Sequence, residues 1–227
     1  CDVIHFSGHW GILIALVFIM NLFHKAPYVV CPAGSLKIYG RSKILKNIYN
    51  KFIGYKMVQS ASLCIAVVED EIEHFKEYGV LEEKINILPN GIDMSLPCLD
   101  KDVSFKDYFE ISGRFILFMG RLNEIKGIDI LVDSYCAINS KSPIEQDLVI
   151  AGIDEGLMDK LKEKIHHSGL SRRVHFLGFI SGLQKQQALS AAEVLIIPSR
   201  SEAMSIVVLE AAIYETPVIC SDQCGLN

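Results

Sequence analysis

The chain has 227 residues, half of them apolar, and a formal net charge of -5 at pH 7. That apolar content can bury a substantial core in one large domain or two small ones, and it excludes a disordered chain. The acidic balance excludes a general nucleic-acid binder, which would concentrate Lys and Arg against phosphate; a small anionic ligand needs only a local positive pocket.

Short β-branched runs alternate with longer helical patterns from the start. Residues 2–6, 28–31, 63–68 and 84–88 read as strands, and residues 10–25, 43–60 and 69–78 as helices, which is the grammar of βαβ units. The apolar run at 11–23 (GILIALVFIMNLF) falls short of the ~20 residues of a spanning helix, so it is expected to be a buried core helix. It has no cationic leader or small-residue cleavage site, and nothing argues for secretion. The chain opens at Cys1 inside an expected strand and stops at Asn227 just after another, so both ends read as cut.

A second series follows a polar stretch. Strands are expected at 115–119, 147–151, 174–176, 194–197 and 218–220, and helices at 128–140, 156–168, 183–192 and 205–214. Apolar runs without alternation suit parallel strands covered on both faces. The Pro and Gly of PNGID and the irregular LPCLDKDVSFKDYF punctuate the boundary between 89 and 113. The expected fold is therefore α/β with two Rossmann-like domains. An incomplete first domain covers 1–97, a linker 98–112 and a second domain 113–227.

Seven cysteines at wide spacings without a CxxC pair fit reduced cytosolic thiols better than a disulfide framework or zinc site. Cys220 and Cys224 read as small apolar residues near a strand end.

In open parallel sheets a ligand sits beyond the carboxyl ends of the strands. After strand 115–119 the chain reads GRLNEIKG, where Gly120 permits close backbone approach and Arg121 and Lys126 offer two cations, either as a diphosphate clamp or as a solvated pair at a helix start. Neither GxxxxGK[ST] nor GxGxxG is present. After strand 194–197, RSEAMSIVVLEA places Glu202 in a loop and Glu210 inside a helix that Ser205 could cap. The amides near Ile206 and Val207 favour phosphate, and carboxylates close by can accept from sugar hydroxyls.

GRLNEIKGIDILVDSY, LVIAGIDEG, VHFLGFI and SRSEAMSIVVLEAAIYETPVI resemble, in this order, the donor domain of glycosyltransferase family 4, and PNGID resembles the end of that family's first domain. The resemblance runs from about Asp2 to Gly225. It implies the GT-B arrangement of two Rossmann-like domains facing a cleft. It also implies retaining transfer of a sugar from a nucleoside diphosphate sugar to the hydroxyl of a glycan or lipid-linked acceptor, without a cofactor or obligatory metal. Carried over residue by residue, Arg121 and Lys126 hold the diphosphate and Glu202 contacts the transferred sugar. Glu210 holds the ribose, and the backbone of Ala203, Met204, Ser205, Ile206 and Val207 cradles sugar and phosphate. Gly178 and Phe179 lie along the base, and Asn90 and Gly91 form a hinge. Glu202, Arg121 and Lys126 are thus the catalytic candidates.

Where a familiar version of the family has His after Pro, this chain reads CPAGSL with Ala33, so no catalytic histidine is assigned. His166 and His167 suit a helix end, and His5 and His175 lie in strands. Two other readings use the same architecture: a non-hydrolysing sugar-nucleotide epimerase, and a nucleotide-binding fragment that no longer turns over. The stretch from Ala33 to Val68 carries Lys37, Arg41, Lys43, Lys46, Lys51 and Lys56 with no Asp or Glu. It is either a solvated surface or a peripheral contact with anionic lipid on the inner face of the membrane, in polysaccharide or glycolipid synthesis. The chain by itself is expected not to transfer sugar.

Overall fold

A computed structural model describes residues 2–38, 42–94, 105, 109–111 and 113–226. Cys1, Arg41, Asn227 and most of the expected linker 98–112 lie outside them. Contacts divide the chain into two units, Cys1–Gly91 with Gly225–Asn227, and Ile92–Cys224.

The first unit is a parallel sheet in the order β1 (Ile4–Ser7), β2 (Tyr28–Cys31), β3 (Leu63–Ala66), β4 (Ile85–Ile87). Its helices are α1 (Ile12–His24), α2 (Lys43–Tyr49), α3 (Tyr55–Gln59) and α4 (Glu71–Glu77). Phe6, Phe18, Tyr28, Val30, Met57, Cys64 and Phe75 form its core. The expected buried helix at 11–23 is corrected. α1 buries only Ala15, Phe18 and Asn21, while Ile12, Leu13, Leu16, Met20 and Phe23 are exposed. A helix laid on a sheet hides one face, and among the described residues no second layer covers the other. No helix among the described residues is long and apolar enough to cross a membrane.

The single helix expected at 43–60 is interrupted by a π segment, Asn50–Gly54, between α2 and α3. Buried Asn50 explains the irregularity: its Oδ1 meets His9 Nε2 at 2.9 Å and its Nδ2 donates to the Tyr78 hydroxyl at 2.5 Å. A Cβ on Gly54 would stand 2.2 Å from Asn50 Oδ1. The widened turn accommodates this polar cluster, in which burial pushes the His9 pKa down.

The second unit has the parallel strand order β7-β6-β5-β8-β9, formed by β5 (Phe115–Met119), β6 (Asp147–Ala151), β7 (Val174–Gly178), β8 (Val194–Ile197) and β9 (Val218–Cys220). Its helices are α5 (Ile128–Lys141), α6 (Met158–His167), α7 (Gly182–Ala191) and α8 (Ile206–Ile213). α5 buries Ile128, Leu131, Val132, Tyr135, Cys136 and Asn139, the spacing of one helical face. All of these side chains but Asn139 pack with Leu148, Ile150, Leu161 and Ile165 into the core. α6 starts two residues later than expected. The Asp154 carboxylate accepts from the amides of Gly156, Leu157 and Met158 at 2.9, 2.9 and 3.0 Å, holding this segment as a turn before the helix. His166 and His167 end α6, as expected, and His175 in β7 meets Asp147 at 3.0 Å. Cys220 is exposed and Cys224 buried, both as free thiols, and burial pushes the Cys224 pKa up.

Candidate functional site

In the second unit the chain starts at the central strand β5, builds outward through β6 and β7, and returns to the other side of β5 with β8. The direction therefore reverses between β5 and β8, and such a switch point opens a crevice beyond the carboxyl ends of the two strands. A cavity of about 410 Å³ lies there. Gly120, Arg121, Lys126, Phe179, Glu202, Met204, Ser205, Ile206, Val207 and Glu210, all named from the sequence, line it.

Close backbone approach shapes the wall. Gly152, with φ +155°, faces the Gly120 carbonyl, and a Cβ added there would stand 1.8 Å from that oxygen. Gly127, φ +68°, likewise has no room for a side chain, because a Cβ would stand 1.9 Å from the Pro198 carbonyl oxygen. The loop between β8 and α8 is tied at several points. Arg200 N donates to Ile125 O at 2.7 Å, Glu202 N to Gln223 O at 3.0 Å and Ser205 N to Cys224 O at 3.1 Å. The Arg200 guanidinium forks onto both Asp129 oxygens at 2.8 and 2.6 Å, and it holds the Asp129 carboxyl below the usual range. Backbone and side chain thus anchor the loop that carries Glu202.

Two ion pairs stand inside the cavity. Lys126 Nζ donates to Glu202 Oε1, and Ser199 Oγ donates to Glu202 Oε2 at 3.0 Å. Lys126 is placed by a short 3₁₀ turn, Glu124–Lys126, which Asn123 caps by accepting from Lys126 N at 2.9 Å. Lys185 Nζ, on α7, donates to Glu210 Oε1, on α8, at 2.5 Å. Arg121 lines the wall but turns its Nη1 to Glu155 Oε1 at 2.9 Å. Arg121, Lys126 and Lys185 each pair with a carboxylate, of Glu155, Glu202 and Glu210, and such alternating donors and acceptors suit an anionic ligand carrying hydroxyl groups.

The start of α8 adds donors, since the first amides of a helix have no intrahelical acceptor and carry the positive end of its dipole. The expected Ser205 cap is corrected: Ser205 is the N-cap residue, but its side chain makes no capping bond. Its buried Oγ has no hydrogen-bond partner. The amides of Ile206 and Val207 beside it are left to a ligand.

Five of the residues named from the sequence do not line the cavity. Gly178 closes β7 with φ +69°, and its carbonyl accepts from Gly152 N at 2.7 Å, behind the wall. Ala203 lies in the β8–α8 loop outside the lining, and Asn90 and Gly91 end the main segment of the first unit. Ala33 follows β2 at φ +46° and is exposed. The reading missed Lys185, Ser199 and Gly152. Lys185 carries a signal visible without coordinates, because a cation in the first turn of a helix opposes the helix dipole. No group of three or more His, Cys, Asp or Glu positioned for a metal occurs among the described residues.

The family model described as Glycosyl transferases group 1 matches residues 101–227, and that of Glycosyltransferase Family 4 matches residues 1–96. An uncharacterised glycosyltransferase of Methanocaldococcus jannaschii is 34% identical over 156 residues, covering 66% of this chain and 39% of that protein. A D-inositol 3-phosphate glycosyltransferase of Jonesia denitrificans is 28% identical over 190 residues, covering 78% of this chain and 45% of that protein. The chain therefore spans less than half the length of these two relatives. The crystal structure of Anabaena HepE in complex with UDP-glucose superposes with a TM-score of 0.78 at 22% identity, over 99% of this chain and 60% of that one. This likeness shows the fold, α/β with parallel sheets of the GT-B class.

Proposed function

We propose that this chain, which belongs to the Glycosyl transferases group 1 family, binds a nucleoside diphosphate sugar in the cavity of its second unit and contributes that site to a retaining, metal-independent glycosyltransferase. The observation that carries the reading is the meeting of Lys126 with Glu202, and of Lys185 with Glu210, around the open start of α8. Lys126 and Arg121 face the diphosphate, Glu202 accepts from hydroxyls of the transferred sugar, and the backbone of residues 204–207 supports sugar and phosphate. Glu210 accepts from the ribose, and exposed Phe179 offers a ring along the base.

In this reading, negative charge develops on the departing phosphate as the bond to the anomeric carbon breaks. The α8 amides are fixed donors toward that charge, and Lys126 and Arg121 turn to it from Glu202 and Glu155. The Lys126–Glu202 pair has a further consequence. The sugar-binding carboxylate and the phosphate-binding cation neutralise one another, and the donor replaces that contact with its own hydroxyls and phosphate.

The acceptor, a glycan or lipid-linked hydroxyl, is proposed to come from an anionic membrane surface. α2, the π segment and α3 expose Ile44, Leu45, Ile48, Phe52 and Tyr55 beside Lys43, Lys51 and Lys56, on a stretch without acidic residues. Apolar side chains flanked by lysines suit the interface of an anionic bilayer, where each cation near the surface contributes about 1 kcal/mol.

The test is incubation of a version extended at both ends to the length of its relatives with radiolabelled nucleoside diphosphate sugars, with and without candidate acceptors, followed by nuclear magnetic resonance of the product. A glycoside with the anomeric configuration of the donor supports the reading. An epimerised sugar nucleotide formed without acceptor overturns it in favour of an epimerase.

A further inference from the structure

We infer that Lys185, together with Glu210, forms a reader for a vicinal diol, and that Lys185 is a ribose-selecting residue; this rests on the donor-site reading above. Lys185 is the fourth residue of α7, in the turn where the helix dipole disfavours a cation. It reaches across to Glu210, the fifth residue of α8, at 2.5 Å. Both side chains are partly open to solvent, at 32% and 24%, and both line the cavity beside Phe179 and Ile180. A solvated pair of this kind does little for stability, so its placement on the wall calls for a ligand.

The chemistry of the pair identifies that ligand. An ammonium group is a donor with three hydrogens and no acceptor, and an ionised carboxylate accepts only. Lys185 engages one oxygen of Glu210, leaving Oε2 to accept and two Nζ hydrogens to donate. A hydroxyl on a neighbouring carbon can do the complementary thing twice. One hydroxyl of a cis-diol donates to Glu210 Oε2, while its neighbour accepts from Lys185 Nζ. The ribose of a nucleotide presents such a diol, its 2′-hydroxyl accepting from Lys185 Nζ and its 3′-hydroxyl donating to Glu210 Oε2, and a 2′-deoxyribose lacks the hydroxyl that Lys185 reads. Glu210 alone would also bind a ribose, but it would leave the accepting lone pairs of the diol unused.

The experiment is calorimetric titration of the 227-residue chain with UDP, GDP and ADP and with their 2′-deoxy counterparts, for the unmutated protein, Lys185→Met and Lys185→Arg. For the ribonucleotide that binds, Lys185→Met is expected to weaken binding about 10-fold and the 2′-deoxy form about 2-fold or less, the scale of one hydrogen bond to a charged group. The ribo-to-deoxy preference thereby falls, and Lys185→Arg, which keeps the donors, restores most of it. Equal weakening of both forms, or no weakening of either, overturns the inference while leaving the donor site standing. Absence of binding by the unmutated chain overturns the donor-site reading and this inference with it.

Discussion

Replacing Lys126 tests the cavity at its most charged point. Lys126 neutralises Glu202, and the two side chains are 20% and 15% exposed. Lys126→Met keeps most of the side-chain stem and removes the charge. Glu202 then retains only the Ser199 hydroxyl at 3.0 Å among these contacts. A diphosphate entering the variant loses a charge-assisted hydrogen bond, about 1.5–3 kcal/mol or roughly 10- to 150-fold in Kd. It also meets a carboxylate no longer neutralised. At an effective dielectric constant of about 20 and a separation of about 6 Å, that repulsion is roughly 3 kcal/mol, which solvent at this open site screens to about 1 kcal/mol. The loss should therefore lie toward the upper end of the range. The double variant Lys126→Met/Glu202→Gln should recover about 5-fold of it. In a transferring protein kcat should fall by about 10²–10³. Calorimetry with nucleoside diphosphate reads the binding. A Kd for Lys126→Met within about 3-fold of the parent, or a double variant no tighter than the single one, would refute the reasoning.

Glu210→Gln should weaken nucleoside diphosphate about 10-fold, while Glu202→Gln should leave that binding nearly intact and impair transfer; equal losses would show that the two carboxylates are not divided between ribose and sugar. Gly152→Ala forces a Cβ to within 1.8 Å of the Gly120 carbonyl oxygen at φ +155°. It should cost about 3 kcal/mol in a urea titration, and an unchanged midpoint would contradict the close approach. Arg200 holds the Asp129 pKa below 3.8, so the stabilisation from this pair is fully present above that value and fades as pH falls through the lower folded-state pKa. Arg200→Ala, at an exposed pair, should then cost about 0.2–1 kcal/mol at pH 7 and less at pH 3, whereas a constant difference would rule out the linkage. Ile48→Asp/Phe52→Asp should reduce co-sedimentation with phosphatidylserine-containing vesicles several-fold. Undiminished co-sedimentation would remove the proposed membrane face.

The sequence makes the second unit more legible than its contacts. GRLNEIKG and SRSEAMSIVVLE each follow an uninterrupted apolar strand, and parallel topology places such loops on one edge, so Lys126 and Glu202 could be named before their contact was known. The spacing of Ile128, Leu131, Val132 and Tyr135 likewise announces the face that α5 buries. What stayed hidden depends on distant partners. Lys185 and Glu210 are 25 residues apart and meet only because α7 and α8 pack together. The π segment at 50–54 requires His9 and Tyr78 to close on Asn50, which no local propensity encodes. α1 misled for another reason, since an apolar run records that a face can be buried and not whether another layer covers it. Ser205 has the residue type of a cap, yet its buried hydroxyl makes no capping bond.

The most direct measurement of the central claim is hydrogen exchange of the 227-residue chain, followed by mass spectrometry, with and without saturating nucleoside diphosphate sugar. If the cavity holds the donor as described, slower exchange should concentrate in peptides covering 120–127 and 199–210, including the first amides of α8, because bound phosphate closes those groups to water. Binding that protects other peptides and leaves both of these segments unchanged would contradict the account.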